Sequence, residues 1–254
     1  MAIDSGDKRL RRVDVIGVPI SAVNMVECID LLTDELDSLR GEYVCVSNVH
    51  TTVLAHDNPE YMKVQSSSVL SVPDGKPLSL VGKKQVPTMD RVTGPDLMRE
   101  LFMSKKARGK RHYFYGNTEE NLNTLIGELK CAYPDIEIAG YEPSVFRPMS
   151  DAEESDLADR IDSAKADYAW IAIGAPRQEE LCYRLKGKTN CVMIGVGGAF
   201  NILANITPEA PAWMQNLSLE WLYRLIQEPK RLFKRYAITN TKFIAYLIMK
   251  SQPK

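Results

Sequence analysis

The sequence predicts an α/β fold: a largely parallel sheet with helices on both faces, followed by a C-terminal helical appendage. Three observations predict it. Short apolar runs rich in β-branched and aromatic residues alternate with segments of helical periodicity. Strands separated by helices in this way form parallel sheets covered on both sides. After about residue 210 the alternation stops and continuous helix-compatible sequence follows, interrupted by Pro229. The expected division is therefore a body over residues 1–210 and a basic appendage over 211–254.

The elements follow in order. Residues 22–40 place Val26, Ile29, Leu32, Leu36 and Leu39 on a helical period, with Ser21 as cap and Gly41 as stop. YVCVS (43–47), SVLSV (68–72), HYFY (112–115), IEIAG (136–140), YAWIAI (168–173) and CVMIGV (191–196) read as strands. Helices are expected near 50–65, 95–105, 118–132, 151–165 and 177–186. In such folds ligands gather beyond the C-terminal ends of the strands. Chemistry is thus sought at VSNVH (46–50), VPDGKP (72–77), GAPRQEE (174–180) and GVGGAF (195–200).

Bulk properties narrow the classes. A hydrophobic share of 44% and 254 residues suit one substantial core, and the net charge of −1 by itself favours no anionic partner. Its distribution does: residues 221–254 hold 8 Lys and Arg against a single acidic residue. A basic tail on an acidic body points to phosphate, nucleic acid or a membrane surface. The five cysteines show no CxxC spacing and read as buried free thiols, which fits a reducing cytoplasm. His50, His56 and His112 lack metal-ligand spacing. MAIDSGDKRLRR carries no apolar stretch of signal-peptide type, and FIAYLIM (243–249) is far too short to span a bilayer.

Each candidate site carries a bland reading beside a chemical one. Asp74 stands in Pro-Asp-Gly, common turn chemistry, yet directly after a strand, where a carboxylate can act as general base. Asn48 can orient a hydroxyl or cap the next helix. Gln178 opens a helix whose N-terminus favours anions, or simply starts it. Gly195, Gly197 and Gly198 form a turn that a ligand can approach closely, but Phe200 stands where the dinucleotide fingerprint needs glycine. DAEESDLADRID (151–162) reads as a solvated helix face. There is no Asp-x-Asp pair, so a diphosphate leaving group must be neutralised by cationic side chains or backbone N–H groups. Arg224, Lys230, Arg231, Lys234 and Arg235 lie within twelve residues and supply that charge on an amphipathic segment.

Together, PDG at 73–75, RVTGPDLM at 91–98, YGN at 115–117, GAPRQE at 174–179, GVGGAF at 195–200, APAWM at 210–214 and EWLYRLIQEPKRLFKRY at 220–236 resemble the bacterial WecG/TagA/CpsF glycosyltransferase family. The resemblance implies a Rossmann-like fold and an inverting, metal-independent transfer without a cofactor. It implies a UDP-sugar donor carrying N-acetylmannosamine, its uronic acid or glucose. The implied acceptor is a polyprenyl-diphosphate-linked saccharide at the inner face of the cytoplasmic membrane, in cell-surface polysaccharide synthesis. It implies a peripheral membrane protein, with a homo-oligomer left open and nucleic acid not expected. By position, Asp74 matches the catalytic base, Asn48, Arg91 and Gln178 match pocket residues, and Arg224 and Arg231 match arginines facing the donor diphosphate. The third arginine of that set is Lys234 here, followed by Arg235. The family's threonine two residues before the asparagine is Val46, next to Ser47, and its aspartate, glycine and arginine before Ala-Pro are Asn201, Asn205 and Glu209. The rival readings are an NAD-type oxidoreductase, suggested by GVGGAF, and a non-catalytic nucleotide- or membrane-binding module, suggested by the tail.

Overall fold

The computed structural model describes residues 11–217 and 219–251, without the side chains of 212, 216, 231 and 251. The chain opens with a hairpin, β1 (Arg12–Val15) and β2 (Val18–Ser21), paired antiparallel. Ile16 and Gly17 both take positive φ, the two-residue turn that suits the strand twist. Then come α1 (Met25–Asp34), β3 (Tyr43–Ser47), α2 (Val49–Asp57), α3 (Pro59–Ser66), β4 (Leu70–Pro73), α4 (Lys76–Lys83) and α5 (Gly94–Met103). The second half holds β5 (Arg111–Gly116), α6 (Glu119–Ala132), β6 (Glu137–Glu142), α7 (Asp151–Ser163), β7 (Tyr168–Ala172), α8 (Arg177–Leu185), β8 (Val192–Gly195) and α9 (Ala199–Leu203). Helices α10 (Ala212–Asn216), α11 (Glu220–Gln227) and α12 (Pro229–Ser251) close the chain.

The six central strands run parallel in the order β4-β3-β8-β7-β5-β6. Alternation along each strand divides the core. Val44, Val46, Phe114, Trp170 and Ile194 face one side and pack with residues of α1, α5 and α6. Cys45, Tyr113, Ile171 and Met193 face the other and pack with α7 and α8 through Leu157 and Leu181. A third cluster joins the hairpin to Val53, Tyr61 and Leu78, and to Phe243 of α12. Full burial of each large side chain contributes about 1.5–3 kcal/mol, so these clusters, not surface ion pairs, hold the layers together.

Several expected boundaries move. Asn24 caps α1 instead of Ser21, which ends β2 and accepts from the Ser71 N–H at 2.9 Å. The helix stops at Asp34, well before Gly41. The single helix expected near 50–65 is two, because Asn58 caps a new start and Pro59 cannot extend the old helix. The cysteines are all free, but Cys131 is exposed, unlike the other four.

Because the sheet is parallel, Asn48, Asp74, Asn117, Gly174 and Gly197 gather at one edge, just past their strands. From β5 the chain moves outward to β6, and from β7 inward to β8, so a switch point lies between β5 and β7.

The C-terminal helices come back to that edge. The break falls at Glu228, and Pro229 opens α12, as suits a residue lacking the N–H that a first turn does not need. Trp221 and Tyr236 meet edge-to-face with centroids 6.3 Å apart and tie α11 to α12. Further along, Lys242 Nζ and the Tyr246 hydroxyl each donate to Asp57 of α2 at 2.6 Å, and the Tyr246 ring lies 4.0 Å from that of His56. Phe243 is buried between them and the hairpin.

Candidate active site

The site begins with two strand ends. The Asp74 N–H donates to the Ser47 carbonyl at 2.7 Å, which locks the end of β4 to that of β3. Gly75 follows at φ +93, a conformation that a side chain would strain, and starts α4. Asp74 is therefore both the turn residue and the carboxylate presented at the sheet edge.

Asn48 takes the capping role of the two the sequence offers. Its Oδ1 accepts from the His50 and Thr51 N–H groups at 3.0 and 3.2 Å and caps α2. That leaves Nδ2 to donate to the Asp74 carboxyl. Ser47 points elsewhere: it is buried and hydrogen-bonded to Ser71 at 2.8 Å and to Gln65 at 2.9 Å, so its hydroxyl does not stand in for the family's threonine.

The appendage supplies the surroundings of Asp74. Arg91 donates to Glu220 of α11 at 2.5 Å, a half-buried ion pair across 129 positions of sequence. Asp74 sits in the field of Arg224, Glu220 and Arg91. Its carboxyl keeps some accessible surface, but packed surroundings strip its water, and this desolvation dominates. The pKa is pushed up to about 6; Glu220 adds to the rise, while Arg224, Arg91 and Asn48 oppose it. Such a carboxyl is mostly ionised at neutral pH yet basic enough to take a proton. Glu220→Gln removes a like charge, so it is expected to lower the pKa of Asp74. Carboxyl ¹³C titration reads this directly, and an unmoved or raised value contradicts the arrangement.

The expected cations fall out differently. Arg224 is exposed, with its charge acting on Asp74. Arg231 lies in the first turn of α12, and its side chain is outside the described residues. Lys234 is exposed, whereas Arg235, about 100° further round the helix, is half-buried and turned toward His50. The Arg235 guanidinium lies 5.6 Å from the Tyr236 ring centre, and its Nε is buried with no hydrogen-bond partner among the described residues. Burial first and Arg235 second hold the His50 pKa below its ordinary value. Nothing in the sequence marks Glu220 or His50 as a site residue, and Arg235 stands there only as one of five clustered cations. Glu220 and Arg235 do stand inside the long C-terminal motif, and His50 inside VSNVH.

Gln178 is buried, and its amide is engaged internally. Oε1 accepts from the Gly174 N–H at 3.1 Å and Nε2 donates to Glu179 at 2.8 Å. It forms the floor of the glycine turn: a Cβ at Gly195 would meet Gln178 Cγ at 3.2 Å. Gly197 has φ +53, which glycine adopts without strain, and Gly198 leads into α9. Phe200 is buried in the core against Phe114, so the fingerprint's last position serves packing. Of the three changes before Ala-Pro, only Asn201 reaches the strand ends, accepting from Asn117 at 2.5 Å. Asn205 bonds Glu128 on α6, and Glu209 pairs with Arg99 on α5. Among the described residues no group of three or more His, Cys, Asp or Glu is arranged to hold a metal ion.

Comparison with known proteins places the chain among glycosyltransferases. The chain is similar to the N-acetylglucosaminyldiphosphoundecaprenol N-acetyl-beta-D-mannosaminyltransferase of Bacillus spizizenii W23, with 30% identity over 203 residues, 79% of this chain and 77% of that one. It is 29% identical over 233 residues to the enzyme of the same name from Bacillus subtilis 168, covering 89% of each chain. It is 24% identical over 247 residues to that of Staphylococcus aureus MW2, covering 96% and 94%. Residues 13–254 match the profile of one family across the sheet, the site and the appendage alike, and the chain accordingly belongs to the Glycosyl transferase WecG/TagA/CpsF family.

Proposed function

We propose that this glycosyltransferase moves N-acetylmannosamine from a UDP carrier to a polyprenyl-diphosphate-linked N-acetylglucosamine. The relatives' names supply the sugar and the acceptor, and the family resemblance supplies the carrier. The observation that carries the reading is Asp74: a desolvated carboxylate with a pKa of about 6, held by Asn48 and overlooked by Arg91, Glu220 and Arg224. In this reading Asp74 takes the proton from the acceptor hydroxyl as that oxygen attacks the anomeric carbon. UDP leaves from the opposite face, so configuration inverts. Arg224, Arg231, Arg235 and the backbone of the Gly195–Gly198 turn stabilise the diphosphate charge.

Membrane attachment belongs to the same proposal. No helix of the described residues is long and apolar enough to cross a membrane. The appendage nevertheless exposes Trp213, Trp221, Ile226, Phe233, Ile244 and Met249 beside its basic residues. An apolar surface rimmed with cations suits an anionic bilayer face, where the acceptor's lipid resides.

The test is transfer from UDP-N-acetylmannosamine to a synthetic lipid-linked N-acetylglucosamine, with UDP-N-acetylmannosaminuronic acid and UDP-glucose in parallel. Turnover is expected with the first donor and unchanged by EDTA. Preference for another donor corrects the sugar; loss of turnover on chelation shows that a metal takes part.

A further inference from the structure

Glu179 is a buried carboxyl that the proposed chemistry does not use and that, unlike Glu154, is not paired with an arginine among the described residues. It lies in the first turn of α8, where an acidic residue would ordinarily face water. Only 2% of it is exposed. One carboxyl oxygen accepts from Gln178 Nε2 at 2.8 Å. The other has no hydrogen-bond partner among the described residues, and the group faces the equally buried hydroxyl of Tyr61 on α3. Desolvation pushes its pKa up to about 7.

Burial of a carboxyl is unfavourable, and an apolar side chain of similar size would fill the position at lower cost. What Glu179 holds explains why a carboxyl suits it. The Gln178 amide has two ends. One is fixed by Glu179, and the other receives the Gly174 N–H at the end of β7. Between them the Gln178 side chain lies under the second glycine turn, 3.2 Å from a Cβ built on Gly195 and 3.4 Å from one built on Gly197. Gln178 thus sets the height of both loops flanking the end of β8. An amide can be flipped or rotated, and the acceptor oxygen of Glu179 selects the orientation that offers Oε1 to Gly174.

We propose that Glu179 is a positioning residue: by orienting the Gln178 amide it holds the Gly174 and Gly195–Gly198 turns as a preformed cradle for the nucleotide diphosphate. The inference rests on the UDP-sugar reading above. It assigns Glu179 no contact with substrate, and Tyr61 braces the carboxyl from the far side.

The experiment is calorimetric titration of the full-length protein with UDP, alongside steady-state kinetics and Tm. Glu179→Leu is expected to weaken UDP binding about tenfold, the effect of losing one oriented hydrogen-bonded group. The donor KM rises by a similar factor, and kcat at saturating donor stays within about twofold. The Tm is expected to change little, because loss of a desolvated carboxyl offsets the Gln178 Nε2 donor left unpaired. Glu179→Gln, which keeps an acceptor oxygen at the same reach, is expected to restore UDP affinity to within about threefold. Glu179→Asp keeps the charge but withdraws the oxygen by one methylene, so it is expected to lose affinity; it decides the matter if the leucine variant does not fold. UDP affinity unchanged in Glu179→Leu or Glu179→Asp overturns the proposal. So does a lower Tm in Glu179→Leu with unaltered donor KM, which would make the role purely structural. Wild-type protein that fails to bind UDP sinks the underlying reading instead, and the proposal with it.

Discussion

Asp74→Asn is expected to lower kcat by about 10²–10⁴-fold, the usual contribution of a placed general base, while UDP affinity stays within about threefold. Asparagine keeps the shape, tolerates the turn before Gly75 and can still bond Asn48, so the loss isolates the proton transfer. Initial rates at saturating donor, with binding measured separately, read the two effects. Near-wild-type turnover would remove Asp74 from the chemistry and leave it a turn residue. The pH profile gives a second reading. The base works ionised, so the wild-type kcat/KM should rise about tenfold per pH unit below pH 6 and level off above it, following the pKa of about 6. The asparagine variant should lose that inflection. Stability should move the other way. The folded protein holds the Asp74 proton more tightly than the unfolded chain, so this group favours folding at low pH. Its contribution disappears as pH rises through about 6. At pH 8 the ionised carboxyl therefore opposes folding, and Asp74→Asn is expected to hold or raise Tm while it abolishes most turnover.

The turn at Asp74 and the carboxylate it presents show what a sequence can display. The strands, their alternation with helices and the positions of the turns follow from periodicity, because each parallel strand needs apolar residues on both faces, as Val44 and Cys45 illustrate. The hairpin at 12–21 gives little strand signal in the sequence, because its strands are four residues each and one contains Pro19. Helix α4 carries no sequence expectation, because Lys76 and Pro77, which open it, fall in the VPDGKP turn. Among site residues, Asp74, Asn48 and Gln178 were visible at strand ends. Their partners were not: the Arg91–Glu220 pair joins positions 129 apart, and no local pattern encodes it. Lys234 and Arg235 show the limit most sharply. Adjacent cations in a helix look equivalent in a charge count, and only the packing of α12 on α2 decides that Arg235 turns inward. Glu179 is hard to see in sequence, since a carboxylate in a helix's first turn ordinarily faces water.

Deletion of residues 221–254 is expected to abolish transfer and to weaken binding to anionic vesicles. The segment carries Arg224 over Asp74, Arg235 beside His50 and the exposed apolar residues Trp221, Phe233 and Met249. The body's own sheet and its two flanking clusters do not draw on it. The deletion does expose the hairpin cluster that Phe243 covers, so Tm should fall even though the body stays folded. The ion pair between Lys242 and Asp57 is exposed to solvent and contributes little; the apolar contacts of Phe243 account for more of that loss. Two further variants separate the appendage's roles. Arg224→Ala removes a charge that lowers the Asp74 pKa, so the acid limb should move to higher pH, opposite to Glu220→Gln, with vesicle binding nearly retained. Phe233→Ser with Met249→Ser should weaken vesicle cosedimentation while leaving turnover on a short-chain, water-soluble acceptor nearly intact. A truncated protein that is fully active and equally vesicle-bound would contradict both roles. An Arg224→Ala acid limb that stays in place or moves down would sever the appendage from the base, since Arg224 then could not be acting on Asp74.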